Sequence, residues 1–168
     1  MKTFAAFFFT LCLGLFFAAP LHAQAPAAQD GAQLLSADEL DDLLGPIALY
    51  PDSLIALILP ASTVPSDIQQ AAAYVNTGGD LSQIPNQPWD DSVKALTRYP
   101  DVLNWLNQNA DWTAQVGDAF VNQPADVMDS IQQLRAKAKA EGNLVNTPQQ
   151  EVGVDDGDIT IDPADPNS

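Results

Sequence analysis

Aspartate recurs along this chain at the points where runs of apolar residues begin. Of its 22 acidic residues, 19 are aspartates and only three are glutamates. Aspartate favours helix starts, because its short side chain accepts hydrogen bonds from unpaired backbone N–H groups, whereas glutamate is preferred on helix surfaces. Six aspartates occupy such starts: Asp52, Asp67, Asp90, Asp101, Asp111 and Asp126. The pattern predicts a succession of short, capped helices.

Proline and glycine separate these segments. Ser36 and Glu39 have the spacing of a capping box, which opens a first helix that ends at Gly45 and Pro46. Residues 36–143 contain no sustained two-residue alternation, so no sheet is expected there. We predict an all-α fold, an irregular bundle of six or seven short helices. The predicted core comprises Leu54, Ile58, Leu96, Leu103, Leu106, Val116, Phe120 and Ile131.

The two ends of the chain differ in composition from this stretch. Residues 1–23 place one lysine before an apolar run and a small-residue boundary, which is typical of a signal peptide. The run is shorter than the ~20 residues of a membrane-spanning helix, so we expect no membrane span after cleavage; an uncleaved anchor is the alternative. Residues 24–35 are predicted to form a flexible spacer. Residues 144–168 hold six acids and no base, and are predicted to form a disordered acidic tail.

Composition excludes several classes of function. Cleavage after residue 23 leaves 145 residues with five basic and 22 acidic side chains, a net charge of −17, and no histidine or cysteine. A Ser-His-Asp triad, a Cys-His dyad and a Cys/His zinc site therefore cannot form. The acidity argues against nucleic acid as a partner, because phosphates are neutralised by lysine and arginine. No cofactor or metal is expected, and the oligomeric state is left open.

Carboxylates are the only acid/base groups left for catalysis, and Asp90, Asp91 and Asp101 are the candidates. Helix capping is the competing explanation for these aspartates. Trp89, Tyr99 and Tyr50 are the candidate binding residues, because an aromatic ring next to a carboxylate suits a sugar ligand. Packing onto the adjacent helix start is the alternative for both tyrosines. Trp89 follows a proline-rich loop, so it is either a protruding contact or a core anchor.

Several ordered motifs resemble one bacterial family. LGPIALYPDSL at residues 44–54 and QPWDDSVKAL at residues 87–96 carry most of the likeness. Shorter matches occur at residues 61–63, 111–112, 117–120, 126–128, 142–144 and 147–150. Over about residues 38–152 the chain is similar to the bacterial domain-of-unknown-function 3300 family. The resemblance implies an exported protein of a Gram-negative bacterium and assigns no activity or catalytic residue.

These observations favour a non-catalytic, exported binding module of the cell envelope, located in the periplasm or outside the cell. Its expected partner is an envelope protein or a cell-wall component, basic or neutral in charge. The alternative is a carboxylate-based acid/base hydrolase that acts on envelope glycan.

Overall fold

The computed structural model describes residues 34–165. The predicted signal peptide and most of the predicted spacer lie outside this range. The described residues form seven α-helices, one 3₁₀ helix and two strands. In chain order these are α1 Ala37–Leu44, α2 Asp52–Ser62, α3 Pro65–Asn76, the 3₁₀ helix Leu81–Asn86, α4 Asp91–Leu96, α5 Pro100–Gln108, α6 Ala110–Asn122, α7 Pro124–Ala140, β1 Gln150–Asp155 and β2 Asp158–Pro163.

The helix starts use three different devices. At α1 the capping box is confirmed, because the Ser36 hydroxyl accepts from the Glu39 N–H while the Glu39 carboxylate accepts from the Ser36 N–H. Asp90 caps α4 as predicted. The capping prediction is wrong for the other five aspartates, which lie in the first turns of α2, α3, α5, α6 and α7 without a side-chain cap bond. Three of these helices begin with proline, which needs no N–H partner.

The helices pack around one main core. Seven of the eight predicted core residues are buried, and Phe120 is half-buried at its edge. Helices α2 and α6 approach closely where Gly117 faces the backbone of Ser62, since a Cβ at Gly117 would lie 2.2 Å from the Ser62 carbonyl oxygen. Within residues 34–165, no helix is long and apolar enough to cross a membrane.

The prediction of a disordered tail is wrong for residues 144–165. Strands β1 and β2 form an antiparallel hairpin in which Val152 pairs with Ile161 and Val154 with Ile159. A two-residue turn joins the strands, and its Asp156 and Gly157 have φ values of 49° and 104°, as an Asp-Gly hairpin turn requires. Ile159, Ile161 and Leu144 form a second buried cluster against α7. The tail folds because its few apolar side chains are buried against the helical domain.

Candidate functional site

Arg135 on α7 connects the helical domain to the hairpin. Arg135 is 2 % exposed, and its guanidinium forms an ion pair with Asp52 at 2.6 Å. The same group donates hydrogen bonds to three backbone carbonyls, those of Ala48 at 2.8 Å, Tyr50 at 3.0 Å and Ile159 at 2.8 Å. A guanidinium suits this arrangement, because its five N–H donors can reach several acceptors at once. Arg135 thereby holds the α1–α2 loop, the start of α2 and strand β2 together.

Gln132, one turn before Arg135, completes the attachment of β2. Its side-chain amide accepts from the Ile159 N–H at 2.8 Å and donates to the Ile159 carbonyl at 3.3 Å. The amide therefore pairs with the outer edge of β2 as a neighbouring strand would. The hairpin is thus fixed to α7 by polar contacts as well as by apolar packing.

A groove of about 590 Å³ lies beside this attachment, between α2, α6, α7 and the hairpin. We call it the acidic groove. Its apolar lining comprises Ile55, Ala56, Leu59, Pro60, Phe120, Met128 and Ile131. Met128 is 43 % exposed and Phe120 is half-buried, so apolar surface is accessible in the groove. The volume lies in the range of pockets that bind small molecules or side chains of a partner.

The hairpin turn gives the acidic groove its charge. Asp155, Asp156 and Asp158 line the groove and are exposed to solvent. In the described part of the chain none of the three forms an ion pair, because the nearby Arg135 is engaged by Asp52. The rim therefore carries three unneutralised carboxylates next to an apolar floor. Among residues 34–165, no group of three or more acidic side chains is placed to hold a metal ion.

The three predicted catalytic aspartates do not form a catalytic pair. The hydroxyl of Ser92 and then its backbone N–H hold the pKa of Asp90 below its usual range. A general acid in glycan hydrolysis requires the opposite, a raised pKa. Asp91 is an exposed partner of Lys94 at 3.1 Å, beside a second cavity of about 530 Å³. Asp101 lies exposed in the first turn of α5.

The predicted aromatic residues pack onto the core. Trp89 is 5 % exposed and makes an edge-to-face contact with Tyr74, with ring centroids 5.6 Å apart. Trp89 is therefore a core anchor and not a protruding contact. Its ring presents little surface to a ligand. Tyr50 and Tyr99 are half-buried against the same core. None of the three lines the acidic groove.

Sequence reasoning missed the groove, although two signals pointed to it. Arg135 continues the four-residue spacing of Val127 and Ile131, so it belongs to the buried stripe of α7 and not to its solvent face. The Asp156-Gly157 pair lies between short segments that alternate in polarity, which is typical of a hairpin. The position of the hairpin next to Met128 depends on tertiary contacts and leaves no mark in the local sequence.

Comparison with known proteins places this chain in a family. The family described as "Protein of unknown function (DUF3300)" matches residues 36–168. The "Uncharacterized protein YacH" of Escherichia coli (strain K12) is 39 % identical over 123 residues, which cover 70 % of this chain and 20 % of that protein. The chain thus corresponds to about a fifth of this relative. No solved structure matches the chain significantly. The chain belongs to the DUF3300 family.

Proposed function

We propose that this chain is a non-catalytic, exported binding module of the bacterial cell envelope, and that the acidic groove is its binding site. The observation that supports the proposal is the combination in one concavity of accessible apolar side chains and unpaired carboxylates. Binding sites are typically concave and mostly apolar, with a few polar groups that orient the ligand. The groove has this composition, and the hydrogen bonds of Gln132 and Arg135 hold its walls in place.

The charge of the protein restricts the partner. A chain with a net charge of −16 repels anionic surfaces and attracts basic ones at moderate ionic strength. We therefore expect a basic or neutral envelope protein or cell-wall component. The hydrolase alternative has no observation in its favour, since the pKa of Asp90 is lowered and Asp91 and Asp101 are exposed.

Export is the first part of the proposal to test. We expect the protein in the periplasmic or extracellular fraction, with a mature N-terminus at or within a few residues of Gln24, which follows the small-residue boundary of the signal. Cell fractionation followed by mass spectrometry of the intact mature protein measures both. Full-length protein retained in the cytoplasm would refute export.

Binding in the groove is tested by filling it. Ala56 lines the groove and is exposed, so Ala56→Arg introduces a long side chain without disturbing the core. Ala73→Arg is the matched control, because Ala73 is an exposed helical alanine that does not line the groove. Immobilised wild type and Ala73→Arg should capture the same component from an envelope extract, and Ala56→Arg should lose it. Equal capture by all three proteins would exclude the groove as the site.

A further inference from the structure

The acidic groove combines two surfaces that a single ligand must match. Its floor offers Met128 and Phe120 as apolar contacts, and its rim offers three carboxylates from the hairpin turn. A purely apolar ligand would remove the rim from water without compensation. A purely cationic ligand would leave the apolar floor unused. The complementary ligand carries a positive charge close to an aliphatic group.

The rim has a defined geometry. Asp156 and Gly157 both have positive φ, so the chain reverses within two residues and the carboxylates of Asp155, Asp156 and Asp158 come from a single tip. Gln132 and Arg135 hold the adjoining strand at Ile159. The three carboxylates therefore lie on a turn whose strand is fixed to α7. A charged group on such a turn loses little conformational freedom when it binds an opposite charge.

We propose that the acidic groove binds a basic peptide segment in which a lysine or arginine stands next to an aliphatic residue. This inference rests on the proposed function, because it names the ligand of the same site. The ammonium or guanidinium group lies at the rim, and the aliphatic side chain lies on Met128 and Phe120. A second copy of this chain is a poor occupant, since two mature molecules, each with five basic and 22 acidic side chains and a net charge of −17, repel one another.

The test uses the full mature chain and three probes. A fluorescently labelled Gly-Lys-Leu-Lys-Leu-Gly peptide is titrated with protein and followed by anisotropy. An analogue with glycine at both leucine positions tests the apolar contact, and spermine tests charge alone. Burial of a leucine side chain corresponds to about tenfold or more in affinity, so we expect the leucine-free peptide and spermine to bind at least tenfold more weakly.

Two triple variants distinguish the effect of the rim carboxylates from the effect of the protein's net charge. Asp155→Asn/Asp156→Asn/Asp158→Asn removes the rim and retains the turn, because an Asn-Gly pair suits the same backbone conformation. We expect about tenfold weaker binding of the leucine peptide, from three exposed charge contacts. The matched control changes three exposed aspartates outside the groove and should bind as the wild type does: Asp38→Asn/Asp42→Asn/Asp111→Asn.

A further variant tests the floor. Met128→Gln keeps the length of an exposed side chain and makes it polar, so it should reduce the preference for the leucine peptide over its glycine analogue. Equal losses in the rim and control triple variants, or equal affinities for the two peptides, would overturn the proposal. If no basic peptide binds while Ala56→Arg still abolishes capture from the envelope extract, the ligand class is wrong and the groove remains a binding site. If both experiments fail, the proposed function fails with them.

Discussion

Replacement of Arg135 by methionine should be among the most destabilising single changes in this domain. Methionine keeps the apolar stem of the side chain and removes the guanidinium with its charge and donors. The carbonyls of Ala48, Tyr50 and Ile159 would each lose a hydrogen bond, and the Asp52 carboxylate would lose its ion pair. Because the arginine side chain is 3 % exposed, little water is available to replace these donors at their present positions.

The size of the effect follows from those partners. Removal of one member of a buried ion pair costs about 3–5 kcal/mol, because the remaining polar groups are left unpaired. The Asp52 side chain is 39 % exposed and is solvated in the variant, which favours the lower half of that range. We therefore expect Arg135→Met to lower the free energy of unfolding by about 3–4 kcal/mol. Arg135→Lys should recover little of this loss, because an ammonium group cannot reach the same four partners.

Equilibrium urea unfolding followed by far-UV circular dichroism measures the change. Arg98→Met is the matched control, because Arg98 is exposed and forms no ion pair in the described part of the chain, and it should change stability by less than about 0.5 kcal/mol. Hydrogen exchange at the Ile159 amide should increase in Arg135→Met. Equal stability losses in the two methionine variants would refute the role assigned to Arg135.

Three further changes test other parts of the fold. Gly117→Ala should lower stability by about 1–3 kcal/mol in thermal unfolding, because the new Cβ overlaps the backbone of Ser62; a stabilised variant would contradict the close approach. Trp89→Ala should cost about 3–5 kcal/mol in urea unfolding, and a loss near zero would place the ring outside the core. Asp90→Ala should cost about 1 kcal/mol at pH 7. Because hydrogen bonds from Ser92 lower the pKa of Asp90, this contribution is complete above the ordinary aspartate range and is lost as the pH falls through the lowered value. The difference between wild type and variant should therefore shrink below about pH 4, and a pH-independent difference would refute the linkage.

The helical part of the fold can be predicted from the sequence, because the signals for helix starts are local. Ser36 and Glu39 are three residues apart, and their reciprocal hydrogen bonds need no tertiary partner. Proline at the first position of α3, α5 and α7 acts in the same local way. The exact role of each aspartate is less readable. An aspartate in the first turn and one at the cap both favour a helix start, and only the backbone geometry tells them apart.

The candidate site was not predictable in the same way, because it depends on contacts between residues far apart in the chain. Arg135 bonds to carbonyls 85 and 87 residues before it and 24 residues after it. Arg135 falls on the buried stripe of α7, but an arginine near a helix end also suits a solvent-exposed position that favours the helix dipole, so the sequence alone does not decide between the two. The fold of the tail differs from the prediction for a related reason. Residues 144–168 contain too little apolar surface to fold alone, yet Ile159 and Ile161 are buried against α7.

The hairpin therefore belongs to the binding surface as much as to the fold. The apolar floor of the acidic groove comes from α2, α6 and α7, whereas its unpaired charge comes from the turn between β1 and β2. Arg135 joins the two, since its contact with Ile159 attaches the charged strand to the helix that carries Met128. A change at Arg135 should consequently weaken ligand binding together with stability, whereas the rim substitutions should weaken binding alone. Measuring both stability and binding therefore distinguishes the loss of the rim carboxylates from the loss of the hairpin's attachment to α7.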